Sequence, residues 1–166
     1  MKLYLLRHAA AREAWPDPDR SLSDFGIAQA QKLAALVDPA HFENVAQIWH
    51  SPYTRAAQTA QIFRENAGIS APFSECQFLT PESDPRDAAR MMASLSCFGK
   101  DLVAVSHNPF LERLADLLLE GSGRAGRITF GNCTLAGLSR ECEPTPEREF
   151  GEWSLEFLVS PKLSRL

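Results

Sequence analysis

Apolar residues follow two rhythms that take turns along the chain. Residues 3–6 (Leu-Tyr-Leu-Leu) and 102–105 (Leu-Val-Ala-Val) are short unbroken apolar runs, as expected of buried strands. Residues 45–49 and 73–79 read as two further strands, and 128–138 and 153–159 as late ones. Between them the spacing turns helical. Ser23 is placed to cap a helix reaching about residue 37, with Phe25, Ala28, Leu33 and Leu36 near one face. A second helix spans 54–66, with Ala56, Ala60, Ile62 and Phe63 inward and Gly68 as its stop. A third runs from 87 to about 97, with Ala88, Met91, Met92 and Leu95 at helical spacing. The fourth takes Asn108 as its cap and Pro109 as its first residue, and buries a stripe of Phe110, Leu111, Leu114, Leu117 and Leu118. Loops fall at 9–21, broken by Pro16 and Pro18, at 81–85, and at the glycine-containing turn 121–126. The charged, proline-containing stretch 140–151 reads as an exposed connection.

Alternating strand and helix predict an α/β protein, a three-layer αβα sandwich with a mainly parallel central sheet. No repeat or linker divides the 166 residues, so one domain over 1–166 is expected, long enough for a sizeable core. Ligands of such sheets bind beyond the carboxyl ends of the strands. Arg7-His8, His50-Ser51 and His107 all fall there.

Charge narrows the partners. The net charge of −4 and pI of about 5.6 give no overall basic footprint for nucleic acid. An anion site would have to be a local basic pocket on an acidic body. No 18-residue apolar run predicts a membrane span, and Met1-Lys2 leads straight into a strand without the pattern of a signal peptide. A cytoplasmic location is expected. The four cysteines (Cys76, Cys97, Cys133 and Cys142) match no metal template and read as reduced thiols. His41 reads as a surface residue and His50 as structural, and Ser51 is placed to cap the next helix.

Three segments concentrate chemistry: Leu5-Leu6-Arg7-His8-Ala9, Ser51-Pro52-Tyr53-Thr54-Arg55 and Val105-Ser106-His107-Asn108-Pro109. Together they bring two histidines and two arginines to strand ends. A neutral imidazole is a competent nucleophile toward phosphorus, so His8 can take a phosphoryl group. Arg7 and Arg55 carry planar forks that match phosphate oxygens. His107, if protonated, adds a third positive donor, and the first N–H groups of the helix after Asn108 favour anions. Arg20 is a further candidate for the phosphate.

These segments resemble the histidine phosphatase superfamily, the phosphoglycerate-mutase-like fold. Arg7-His8 is similar to its Arg-His-Gly signature, and Leu22-Ser23-Asp24-Phe25-Gly26-Ile27-Ala28-Gln29-Ala30 to its Leu-Thr-x-x-Gly-x-x-Gln-Ala segment. Ser51 to Ala60 resembles Ser-Pro-x-x-Arg-Ala-x-Gln-Thr-Ala, and Ser106-His107-Asn108-Pro109 resembles the second histidine site. The short length, Arg-His-Ala, His-Asn-Pro and a loop at 17–22 similar to Asp-x-Asp-Arg-Pro-Leu look most like the SixA-type phosphohistidine phosphatases. Ser21 stands in place of that loop's proline, and Ala9 in place of the usual glycine. A position needing positive φ would strain Ala9.

The resemblance implies a metal-independent, cofactor-free phosphatase that forms phosphohistidine on His8, with Arg7, Arg55 and His107 in catalysis and Asn108 and Arg20 as further phosphate ligands. The general acid is open: Glu82, Asp84, Asp17 or none. A phosphohistidine substrate leaves as imidazole and needs a strong acid less than an alkyl ester does. No long inserted segment follows His8 or separates Arg55 from His107, so the pocket is expected to be open. Phosphohistidine on a signalling protein is the first expectation for the substrate. A sugar phosphate or nucleotide ester is the alternative, and a non-catalytic phosphate-binding module the third. The single core allows a monomer.

Overall fold

The computed structural model describes residues 1–95, 99–121, 123, 127–162, and the side chain of Leu95 is outside this set. Six strands form one sheet in the order β3-β2-β4-β1-β5-β6: β1 Lys2–Arg7, β2 Val45–His50, β3 Phe73–Glu75, β4 Asp101–Ser106, β5 Leu135–Cys142 and β6 Glu152–Val159. The pairs β1/β4, β2/β4 and β2/β3 are parallel, while β5 runs antiparallel to both β1 and β6. The helices are α1 Asp24–Leu36, α2 Thr54–Asn66, α3 Pro85–Leu95 and α4 Phe110–Glu120.

Strand alternation sorts the core into two layers. Leu3, Leu5, Leu102 and Ala104 face α3 and α4, with Met92, Phe110 and Leu114. Tyr4, Leu6, Val103 and Val105 face α1 and α2, with Leu33, Ala60 and Phe63. Every residue of β4 is buried, as a central parallel strand covered on both faces must be. The α/β sandwich and its mainly parallel sheet match the sequence expectation.

Local details differ from the pattern. In α1 the buried residues are Gly26, Gln29, Ala30, Leu33 and Ala34, and Phe25 is 64% exposed. The helix docks on a small-residue face because Gly26 presses against the backbone of Ala10, where a Cβ would lie 1.9 Å from the carbonyl oxygen. β3 holds only three residues, all exposed, and 77–79 form a 3-10 turn rather than strand. Residues 128–134 are not strand, and β5 starts at Leu135. β5 also extends through Arg140 to Cys142, so the exposed connection is shorter than expected. The Arg140 guanidinium lies over the Trp153 ring at 5.7 Å. Met91 is 46% exposed while Met92 is fully buried. Gly121 caps α4 with φ 74, whereas 122 and 124–126 of the expected turn, together with Cys97, lie outside the described residues.

Asn108 does not cap α4. Pro109 is the capping residue, and the Asn108 amide donates to Glu112 Oε1 at 2.7 Å and to the Phe130 carbonyl at 2.9 Å. Ser51 does not take the capping position of α2 either, which falls to Tyr53.

Candidate active site

Register brings the site together. Arg7 pairs with Ser106 and Leu6 with Val105 across β1 and β4, while His50 pairs with Val105 across β2 and β4. One residue further on, His8, His107 and Ser51 stand side by side at the carboxyl end of the three strands. His8 N–H donates to Ser106 O and Ser51 N–H to Val105 O, both at 3.0 Å.

The His8 ring is oriented at both nitrogens. Nδ1 lies 2.8 Å from the Ala9 carbonyl oxygen, an acceptor only, so Nδ1 carries the proton. Nε2 then holds the lone pair, toward which Arg55 Nε–H points at 3.3 Å. Burial pushes the His8 pKa down to about 4, opposed by the Ala9 bond and reinforced by Arg55, Arg7 and Arg20. The imidazole is therefore neutral at neutral pH.

His107 packs with its ring centroid 4.9 Å from that of His8 and 4.9 Å from that of Tyr53. Burial, with His8 and Arg55 beside it, lowers its pKa to about 2. His107 is thus neutral, so the protonation on which its role as a third positive donor depends is not met. Its Nε2 lies 2.8 Å from Ser51 Oγ, and Ser51 Oγ accepts from Tyr53 N–H at 3.4 Å. A Ser51 hydroxyl that accepts from Tyr53 N–H is free to donate to Nε2, and in that arrangement the ring proton sits on Nδ1. His107 Nδ1 is buried with no partner among the described residues, and in that tautomer it is a donor with no acceptor.

Arg55, on the first turn of α2, is 5% exposed. Its Nη1 donates to the Asp17 carbonyl at 2.8 Å and its Nη2 to Asp17 Oδ2 at 3.0 Å, with the Tyr53 ring 4.9 Å from the guanidinium carbon. Arg7 Nη1 donates to Phe130 O at 2.6 Å, and Arg7 Nε is buried with no partner among the described residues. Burial lowers the Arg7 pKa, Glu112 opposes this and Arg55 adds to it, and a guanidinium stays charged throughout. Two unpartnered buried donors, Arg7 Nε and His107 Nδ1, together with the Arg55 fork thus flank the His8 ring. Phosphate oxygens are the acceptors such a set fits.

The remaining candidates separate. Arg20 donates to Arg12 O at 2.9 Å, to Asp17 Oδ1 at 3.0 Å and to Glu13 Oε1 at 3.0 Å, so it clasps the loop that carries Asp17. Asp17 is held below the usual carboxylate range by its hydrogen bonds to Arg20 and then Arg55. A carboxylate kept ionised in this way is poorly suited to donate a proton. Asp84 Oδ1 accepts from Arg86 N–H at the start of α3, which accounts for it structurally. Glu82 is exposed and accepts from the Tyr53 hydroxyl at 3.4 Å, which puts it at the rim. Asn108 braces Phe130 and Glu112 as described, so its amide N–H groups are turned away from a phosphate role. Leu111 N–H, in the first turn of α4, already donates to His107 O at 2.9 Å. His50 Nδ1 lies 2.9 Å from Ser51 O, the structural role expected of it.

Tyr53, Thr59, Gln58 and Gln29 were not singled out from sequence. Thr59 Oγ1 accepts from Ala9 N–H at 3.1 Å and donates to Arg55 O at 2.7 Å, tying the loop after His8 to α2. Gln29 Oε1 holds Ala10 N–H at 3.0 Å and Gln58 Oε1 holds Leu22 N–H at 2.7 Å. Their signal was their place in the Gln-Ala and Gln-Thr-Ala motifs. Ala9 is not among the described residues with positive φ, so its departure from glycine brings no strain there. Among the described residues, no three His, Cys, Asp or Glu are grouped to hold a metal ion.

The model of the histidine phosphatase superfamily, branch 1, matches residues 3–79, which hold Arg7, His8 and Arg55. Over those residues the chain resembles this superfamily. Among solved structures, the protein histidine phosphatase SixA complexed with tungstate is 21% identical with a TM-score of 0.83, covering 98% of each chain. A protein from Agrobacterium tumefaciens bearing the SixA phosphohistidine phosphatase name is 25% identical, with a TM-score of 0.75, over 96% of this chain and 97% of its own. A mycobacterial glucosyl-3-phosphoglycerate phosphatase is 17% identical, with a TM-score of 0.63, over 93% and 96%. No curated protein matches the sequence significantly. The phosphoglycerate-mutase-like fold is shared by these structures. Among the described residues, no helix is long and apolar enough to cross a membrane.

Proposed function

We propose that the chain, acting as one domain over 1–166, is a SixA-like phosphatase that removes the phosphoryl group from phosphohistidine in a signalling protein. One observation carries the chemistry: the His8 lone pair on Nε2, fixed by the Nδ1 bond to Ala9 O and flanked by Arg55, Arg7 and His107. In the first step Nε2 attacks phosphorus, the P–N bond to the substrate ring breaks with its electron pair returning to the departing nitrogen, and the ring, already protonated on its other nitrogen, leaves as neutral imidazole. Arg55, Arg7 Nε–H and His107 Nδ1–H receive the phosphoryl oxygens and stabilise the charge spread over them. In the second step water attacks phosphorus, the His8–phosphorus bond breaks, and phosphate leaves while Nε2 regains its lone pair. All the cations in this scheme are side chains, and no metal or cofactor is assigned a role.

The substrate assignment is supported by the SixA-type motifs and by Asp17 being unfit to act as an acid, since departing imidazole needs little help. A cytoplasmic location and a monomer go with it. Free thiols at Cys76, Cys133 and Cys142 fit a reducing compartment. A phosphate ester is favoured by one observation, Glu82 at the rim beside Tyr53, where it could protonate an alkoxide.

The experiment is mass spectrometry of wild type and His8→Ala after incubation with phosphoramidate or a phosphohistidine protein, quenched at alkaline pH. A phosphoryl adduct on His8, absent from the variant, with phosphate released by wild type only, is expected. Failure to hydrolyse phosphohistidine, combined with ester turnover that Glu82→Gln abolishes, transfers the assignment to the ester.

A further inference from the structure

The loop after the nucleophile does two things at once. Its inner side reaches the phosphate site, since Arg55 donates to both the carbonyl and the carboxylate of Asp17. Two residues before Asp17, Trp15 stands 91% exposed at the outer side. A tryptophan of such exposure is unusual on a soluble protein, because its large apolar surface gains most from burial. The loop is braced around it. An isolated bridge pairs Ala11 with Leu22, Arg12 N–H donates to Ser21 O at 2.8 Å, and the Arg20 clasp holds Arg12, Glu13 and Asp17. Arg12 also pairs with Asp24 at 2.7 Å, which fastens the loop to the first turn of α1. On that turn Phe25 is 64% and Ile27 37% exposed.

We propose that Trp15 on this loop, together with Phe25 and Ile27 on the first turn of α1 to which the loop is fastened, is the docking surface for a folded protein that carries phosphohistidine on its surface. This rests on the phosphohistidine assignment above and names the contact through which such a substrate is chosen. A phosphoryl group attached to a protein can reach His8 only if the body of that protein comes over the rim of the site, and this loop forms part of the rim. A small ester brings no protein body to rest on the exposed Trp15. Tryptophan is the residue most enriched among those that dominate interface energy, and a loop already held in place loses little freedom on association. The partner is expected to present an apolar patch next to its phosphorylated histidine.

The test compares steady-state kinetics of wild type, Trp15→Ala and Phe25→Ser on two substrates: an isolated histidine phosphotransfer domain phosphorylated on its histidine, and phosphoramidate. Trp15→Ala is expected to raise KM for the phosphoprotein about tenfold or more, with kcat retained and phosphoramidate kinetics unchanged. Phe25→Ser is expected to act in the same direction, less strongly. Unchanged phosphoprotein kinetics overturn the docking surface. Equal losses on both substrates also overturn it, because Trp15 would then support the pocket rather than a partner. Sedimentation of a wild-type dimer that Trp15→Ala converts to monomer, with KM unaffected, assigns the surface to a second copy of the chain instead. Wild type that turns over phosphoramidate but leaves the phosphoprotein intact removes the phosphohistidine-protein assignment itself, and the docking surface with it.

Discussion

Ser51→Ala tests the orientation of His107 at the level of a single hydroxyl. Ser51 is fully buried, and its Oγ lies 2.8 Å from His107 Nε2 while accepting from Tyr53 N–H. Removing it leaves a buried ring nitrogen without its donor, which costs about 1–3 kcal/mol. It also frees the ring to place its proton on Nε2, and the lone pair on Nδ1 would then face the phosphoryl oxygens. At 1.4 kcal/mol per factor of ten, formation of the His8 adduct should slow about five- to hundredfold. Quenched-flow measurement of the adduct from phosphoramidate reads this directly, and a urea melt of the variant separates lost chemistry from lost folding. Since Ser51 acts through His107, the double variant Ser51→Ala, His107→Ala should be no slower than His107→Ala alone. A Ser51→Ala rate within twofold of wild type, or a penalty that persists undiminished once His107 is gone, would refute the hydrogen-bond chain.

Three further outcomes follow from the same geometry. By NMR the His8 ring should titrate with a midpoint near pH 4, and a midpoint near 6.5 would show that burial and the arginines do not hold it neutral. Because the folded pKa lies below the unfolded value, the unfolded chain binds more protons once pH falls under about 6.5. Stability should therefore drop from there toward pH 4, by about 3 kcal/mol for His8 alone, and be regained as pH rises; a flat urea-unfolding series between pH 7 and 4.5 would contradict this. Gly26→Ala would ordinarily favour a helix interior, yet here the added Cβ meets Ala10 O at 1.9 Å. The expected result is destabilisation of about 1–3 kcal/mol, and a variant at least as stable as wild type in urea would show that the loop after His8 yields freely.

Much of the layout was legible because strands and helices of a doubly covered sheet announce themselves by period. The apolar runs at β1 and β4, the helical stripes of α2 and α4, and the Ser23 cap all follow from side-chain direction within a few residues. The same local rules place Arg7, His8, Arg55 and His107 at strand ends, though they say nothing about which ends meet. Phe25 shows where periodicity fails: its position on the helical wheel is apolar, but α1 docks through Gly26 because the backbone of Ala10 needs that space. Asn108 and Ser51 show the same limit for caps, since each has a tertiary partner, Phe130 with Glu112 and His107, that outcompetes the local role.

By itself the sequence determined the α/β sandwich, the strand ends that carry chemistry and the residue types suited to a phosphoryl group. Only the tertiary structure decided the order β3-β2-β4-β1-β5-β6, and with it that His8, His107 and Ser51 become neighbours across more than fifty residues. It also decided protonation, because burial and the field of Arg55 and Arg7 hold both histidines neutral, with Arg20 adding at His8 and His8 adding at His107, and no stretch of sequence contains that field. It gave Arg20 its acceptors on Arg12, Glu13 and Asp17, which are fixed by how the loop folds back. Period and propensity act over a few residues along the chain, whereas proton affinity and hydrogen-bond choice depend on distances between segments that only packing brings together.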